Sequence, residues 1–180
     1  MTQSAPLWPS RGKGNLPPMR RLLPIVAVLT LLLASCAKVD RNVGRVVGVT
    51  DGDTVRVLVN DPAPREVRVR LHGIDAPERG QAFGSRAKQE LSSLVFGKTV
   101  RIEKVDTDRY GRTVARLFVD GKDVNAEMVR RGFAWWYERY APNDPVLKAA
   151  QRQARANKLG LWRDAKPQPP WEFREKERGR

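Results

Sequence analysis

A chain of 180 residues that is 41% hydrophobic and 30% charged has material for one soluble globular domain with its own core. Its net charge is +14; residues 1–35 supply four of the 34 basic residues and none of the 20 acidic ones, so the remainder keeps +10. That excess points to polyanionic partners, nucleic acid or an anionic membrane surface. A single cysteine excludes an intramolecular disulfide, and a single histidine with no paired-cysteine spacing speaks against zinc.

Residues 1–18 are polar and proline-rich, which makes Met19 a sensible start. Arg20 and Arg21 then precede an apolar run, Leu22 to Ser35, too short for a membrane span and suited to a signal peptide. Leu33-Ala-Ser-Cys36 closes it and resembles a bacterial lipobox, with Cys36 lipidated as the new N-terminus. The reading is a cell-envelope lipoprotein anchored in the bacterial membrane; a cleaved, secreted protein with Cys36 incidental is the alternative. Residues 1–35 are set apart as signal, 36–42 as lipidated N-terminus and linker, 43–164 as the folded domain, and 165–180 as a tail.

Strands are predicted at Val43–Val49, Thr54–Val59 and Glu66–Leu71, the last alternating Val67, Val69 and Leu71 against Arg68, Arg70 and His72. Asp51-Gly52 marks a turn, and Asp75 to Glu78 forms a loop. Phe83, Ala87, Leu91, Leu94 and Val95 fall at helical spacing, stopped by Gly97. Thr99–Val105 and Thr113–Val119 read as strands. A short helix follows from Val124 to near Gly132, and Asp144-Pro145 caps a longer one running to Lys158. The segment from Lys166 to Arg180 is charged and proline-rich, so it is expected to be disordered or loosely docked. This order gives an α+β, mainly β fold: a five-stranded oligonucleotide-binding (OB) barrel with three appended helices.

The chemistry sits in three strings: Asp51-Gly-Asp53-Thr, then Arg70 with Asp75-Ala-Pro-Glu78, then Arg109-Tyr-Gly-Arg112. Aspartates suit a hard oxygen-liganded cation such as calcium. A glutamate beside cation-bound water can take its proton. Guanidinium groups match the paired oxygens of a phosphate whose charge grows during attack. The order of these parts, rather than any single string, carries the signal. His72 has no serine or cysteine pattern around it and reads as structural.

From about Gly44 to Trp162 the chain resembles the staphylococcal (micrococcal) nuclease family. The resemblance rests on Asp51-Gly-Asp-Thr-Val55, Val69-Arg-Leu-His-Gly-Ile-Asp-Ala-Pro-Glu78, Asp108-Arg-Tyr-Gly-Arg112 and Lys158-Leu-Gly-Leu-Trp162. It implies a calcium-dependent nuclease on the OB barrel that cuts DNA and RNA, single-stranded or frayed, and leaves 3′-phosphate and 5′-hydroxyl ends. It assigns Asp53, Asp75 and the Ala76 carbonyl to the metal, with Asp51 in an outer shell. Arg70, Glu78 and Arg112 are assigned to catalysis, Glu78 as general base or as a water-ordering group. Arg109, Tyr110 and Tyr140 are assigned to the nucleotide. The chain departs from the family at Glu138, where a base-pocket tyrosine is expected, with Tyr137 adjacent. Trp135 and Trp136 read as packing at least as readily as binding. The protein is expected to be monomeric. Two other readings are a non-cutting nucleic-acid-binding barrel and a structural envelope lipoprotein; neither explains a complete acid–arginine set.

Overall fold

The structure is a computed structural model and describes residues 42–60 and 62–179. Met19, the apolar run and Cys36 lie outside the described residues. Five strands build a barrel: β1 (Val43–Val49), β2 (Thr54–Asn60), β3 (Pro64–Leu71), β5 (Thr99–Thr107) and β6 (Thr113–Val119). The sheet runs β3-β2-β1-β5-β6, and a parallel pairing of β3 with β6 closes it, Val69 opposite Thr113 and Leu71 opposite Ala115. Alternation in the sequence becomes alternation in space. Val55, Val57, Val69, Leu71, Val100 and Leu117 all point into the core.

A buried amide holds the closure. Asn125 accepts from the Leu117 N–H at 3.1 Å and donates to the carbonyls of His72 and Ala115 at 2.9 and 3.2 Å. It thus bridges the end of β3 to β6 with every polar atom satisfied.

The helix α1 (Gly84–Val95) buries Ala87, Leu91 and Val95 against the barrel. α2 (Val124–Arg130) is capped by Asp123, and α3 (Pro145–Ala156) by Asp144, whose carboxylate accepts from Val146 and Leu147. The Asp144-Pro145 start predicted for α3 is therefore the one adopted. Two short strands join loop to core: β4 (Ile74–Asp75) pairs with β8 (Trp135–Trp136). The two-residue β7 (Lys122–Asp123) extends the sheet beyond β6.

The tail departs from expectation. Residues Pro170–Arg178 form a fourth helix, α4, after a 3₁₀ turn at Gly160–Arg163. Proline at its first turn favours the helix, since that position needs no N–H partner. Trp171 fixes it in place: its ring stacks on Tyr137 at 5.0 Å and meets Trp135 edge-on at 5.6 Å. Trp135, Ala154, Leu161 and Trp162 form a small second core against which Trp171 and Phe83 pack. Among the described residues the barrel thus carries four helices rather than three, because an aromatic anchor replaces the apolar stripe that α4 lacks.

Candidate active site

The loop before β2 brings Asp53 inward. Its backbone carbonyl accepts from the Leu71 N–H at 2.8 Å, which ties the loop to the end of β3. Gly52 makes the approach possible: a Cβ there would lie 2.6 Å from the Ala76 side chain and 2.8 Å from that of Ala87. Asp51 stands one turn out, its carboxylate accepting from the Asp53 N–H at 3.1 Å.

Asp53 and Asp75 are both buried, with side chains 5% and 1% exposed. Arg70 lies between them, donating to Asp53 Oδ1 at 2.7 Å and to Asp75 Oδ1 at 2.9 Å. Thr54 adds a hydroxyl bond to Asp53 Oδ1, and the Ala76 N–H donates to Asp53 Oδ2 at 3.1 Å. The Ala76 contact to Asp53 is thus made by the N–H. One guanidinium serves two buried carboxylates. Burial accordingly pushes the Asp53 carboxyl above its usual range, Arg70 opposes that, and Asp51 adds to it. Burial pulls the Arg70 guanidinium down, but Asp53 and Asp75 outweigh it and hold the group above its ordinary value.

Glu78 stands at the mouth, its side chain 39% exposed. Its backbone N–H donates to Gln81 Oε1 at 3.1 Å. Gly84 lies under its carbonyl: a Cβ at position 84 would sit 1.9 Å from the Glu78 oxygen. The start of α1 and the Glu78 loop can pack this closely only with glycine there.

Arg112 belongs to a different element. It closes the β5–β6 hairpin one residue before Thr113, which pairs with Val69, so barrel closure sets it beside the strand that carries Arg70. Its Nε donates to Asp108 Oδ2 at 2.7 Å. Asp108 Oδ1 accepts from the Tyr110 and Arg112 N–H groups at 2.9 and 3.0 Å. Burial works against the charged form of Asp108, but these bonds prevail and hold its carboxyl below the usual range. Arg109 donates to the Tyr110 hydroxyl at 2.8 Å and lies over its ring at 4.9 Å.

Tyr110 and Tyr140 are exposed aromatics, and Tyr140 meets Tyr137 edge-on at 5.0 Å. Tyr137 is itself covered by Trp171. Trp135 and Trp136 are buried, which favours the packing reading. His72 is half-buried, and burial, then Arg116, holds its imidazole below the ordinary value. The charges around it, Arg116, Asp144 and Asp106, are not those of the acid–arginine set.

Sequence reasoning missed Arg174. From α4 it donates to Asp75 Oδ2 at 2.7 Å, to Asp75 Oδ1 at 3.2 Å and to Glu78 Oε1 at 2.7 Å. Trp171, an aromatic directly after two prolines, was the available sign that the tail docks.

A sequence model described as "Staphylococcal nuclease homologue" matches residues 68–164. An "Uncharacterized endonuclease" of Escherichia coli O157:H7 is 45% identical over 157 residues, covering 87% of this chain and 98% of the relative. The chain belongs to the staphylococcal nuclease family. A "Micrococcal nuclease" of Shigella flexneri is 40% identical over 163 residues, covering 85% of this chain and 91% of its own. The "Uncharacterized endonuclease" of Haemophilus influenzae is 40% identical over 157 residues, covering 87% and 86%. The chain is accordingly a nuclease-type hydrolase on the mainly β, five-stranded barrel of that family.

The donor set bears on a metal. Among the described residues no group of three or more His, Cys, Asp or Glu is gathered around one point. The two buried carboxylates nonetheless offer oxygen alone, and burial penalises the negative charge of Asp53. A hard divalent cation completed by water fits that set, and soft or nitrogen-seeking metals do not.

Proposed function

We propose that this nuclease hydrolyses DNA and RNA with calcium and leaves 3′-phosphate and 5′-hydroxyl ends. The observation that carries the reading is the buried pair Asp53 and Asp75, which with Glu78 sets three carboxylates against two guanidiniums, Arg70 and Arg174. Asp53, Asp75 and the Ala76 carbonyl would hold the cation, with Asp51 steadying the loop behind them. Bound there, calcium would supply Lewis acidity to the attacking water and offset negative charge near the phosphate.

Glu78 orders the attacking water. No described residue bonds its Oε2, which leaves this oxygen to accept the proton. Arg70 and Arg112 bind the non-bridging oxygens, where charge grows in the transition state. Arg109 and Tyr110 grip a neighbouring nucleotide, and Tyr140 offers a face on which a base can stack. A stacking face suits any base, which supports single-stranded or frayed substrates without strong sequence preference. The protein acts as a monomer in this reading. The signal run and Cys36 further support an envelope lipoprotein; mass spectrometry of the mature N-terminus separates this from simple secretion.

The test is cleavage of denatured DNA by the full chain with calcium, with magnesium and with chelator. Cutting should require calcium and fall sharply in Glu78→Ala. Undiminished cutting in chelator would remove the metal from the mechanism. Asp108→Ala should release Arg112 and lower kcat by about tenfold to a hundredfold, as misplacement of a charge-stabilising group does. Steady-state kinetics with Asp108→Asn alongside checks this, and wild-type kcat in both variants would separate Asp108 from Arg112's role.

A further inference from the structure

Glu78 is tethered at both its ends to the C-terminal segment. Through its backbone, the Glu78 N–H donates to Gln81 Oε1, and Gln81 Nε2 donates to the Gln168 carbonyl at 2.7 Å. Through its side chain, Oε1 accepts from Arg174 Nη1 at 2.7 Å. The same guanidinium closes on both oxygens of Asp75. An exposed loop glutamate has many rotamers to lose, and a guanidinium anchored on both oxygens of Asp75 that also donates to Oε1 restricts them. Trp171, stacked on Tyr137 one turn earlier in α4, holds the helix that aims it.

Charge makes the same point. Arg70 pairs with both aspartates, yet its proposed task is the phosphate. Once it turns to substrate, Asp53, Asp75 and Glu78 carry three negative charges, which a divalent cation and one further guanidinium balance. Arg174 is placed to be that guanidinium.

We propose that Arg174 is a positioning residue for Glu78, and that Gln168–Arg178 is a working part of the nuclease site rather than a tail. The proposal rests on the reading of Glu78 as the group that orders water. Arg174 fixes Oε1 and leaves Oε2 to the water; it also keeps Asp75 oriented when Arg70 departs.

The test compares wild type, Arg174→Ala, Arg174→Lys and Glu78→Gln, singly and with Arg174→Ala combined with Glu78→Gln, in the full chain on denatured DNA. Calcium affinity is read by calorimetry and folding by thermal melting. Arg174→Ala should lower kcat by about tenfold or more at saturating calcium with KM little changed, the mark of an interaction used in the transition state. Calcium affinity should not weaken, Arg174→Lys should recover part of kcat, and the alanine should cost little more once Glu78 is glutamine. Unchanged kcat overturns the proposal. So does higher kcat with tighter calcium binding, which would make Arg174 a competitor for the site, and so does an equal loss in the glutamine background. Full activity of Glu78→Gln would instead sink the parent reading, whatever Arg174 does.

Discussion

Arg70→Ala is expected to lose turnover by about a hundredfold or more, and stability as well. The catalytic loss follows from removing a preorganised donor to the phosphate. The stability loss follows from the site as it stands without substrate. Asp75 would keep Arg174, but Asp53, 3% exposed, would keep only the Thr54 hydroxyl and the Ala76 N–H. An unpaired buried charge left by deleting its partner typically costs about 3–5 kcal/mol. Calcium should return part of that, because it supplies positive charge to the folded state alone. Arg70→Lys should recover stability better than turnover, since one ammonium can neutralise charge yet cannot span two carboxylates or two phosphate oxygens. Melting curves with calcium and with chelator, beside kcat, check both halves. An alanine variant that melts and cuts like wild type would dismiss Arg70 from both roles.

Asp53→Ala should show a different pairing of effects. It should abolish calcium-dependent cutting, because half of the carboxylate pair is gone. Without calcium, it should melt below wild type but lose less than Arg70→Ala does, since the Thr54 hydroxyl and the Ala76 N–H lose their acceptor while no buried charge is stranded. The sharpest sign is the response to calcium. Wild type at a hundredfold excess over its dissociation constant should gain about 2.7 kcal/mol of stability, and Asp53→Ala should gain almost none. The double variant with Arg70→Ala should be more stable than Arg70→Ala alone, because the stranded carboxylate is removed with its partner. Calcium stabilisation that persists in Asp53→Ala would place the cation elsewhere.

The barrel was legible because its strands alternate. Val67, Val69 and Leu71 against Arg68 and Arg70 announce one face to the core and one to the site. Turns and caps were legible because Asp51-Gly52 and Asp144-Pro145 act locally. The short pairing of β4 with β8 was not, since two residues carry no period. The α4 helix was misread for a related reason. Its sequence, Pro-Trp-Glu-Phe-Arg-Glu-Lys-Glu-Arg, lacks an apolar stripe and resembles a solvated tail. What holds it lies far away in the chain, at Tyr137, Trp135, Gln81 and Asp75. For the site, the short strings gave the acids and two arginines. They could not give Arg174, whose place depends on that long-range docking, nor the sharing of Arg70 between Asp53 and Asp75.

The parallel pairing of β3 with β6 carries a kinetic corollary. It joins residues more than forty positions apart, Val69 to Thr113 and Leu71 to Ala115, with α1 and β5 between them. Contacts of such separation bear a loop-closure cost that hairpins escape, so they tend to form late on the way to the native state. Arg70 stands on one of the two strands that this step unites, and Arg112 immediately precedes the other. A chain that has made its hairpins but not this seam would own every residue of the site and still lack the paired cations. Onset of cutting during refolding would then mark the moment the cylinder shuts, a clock for one tertiary event built into the molecule's own chemistry.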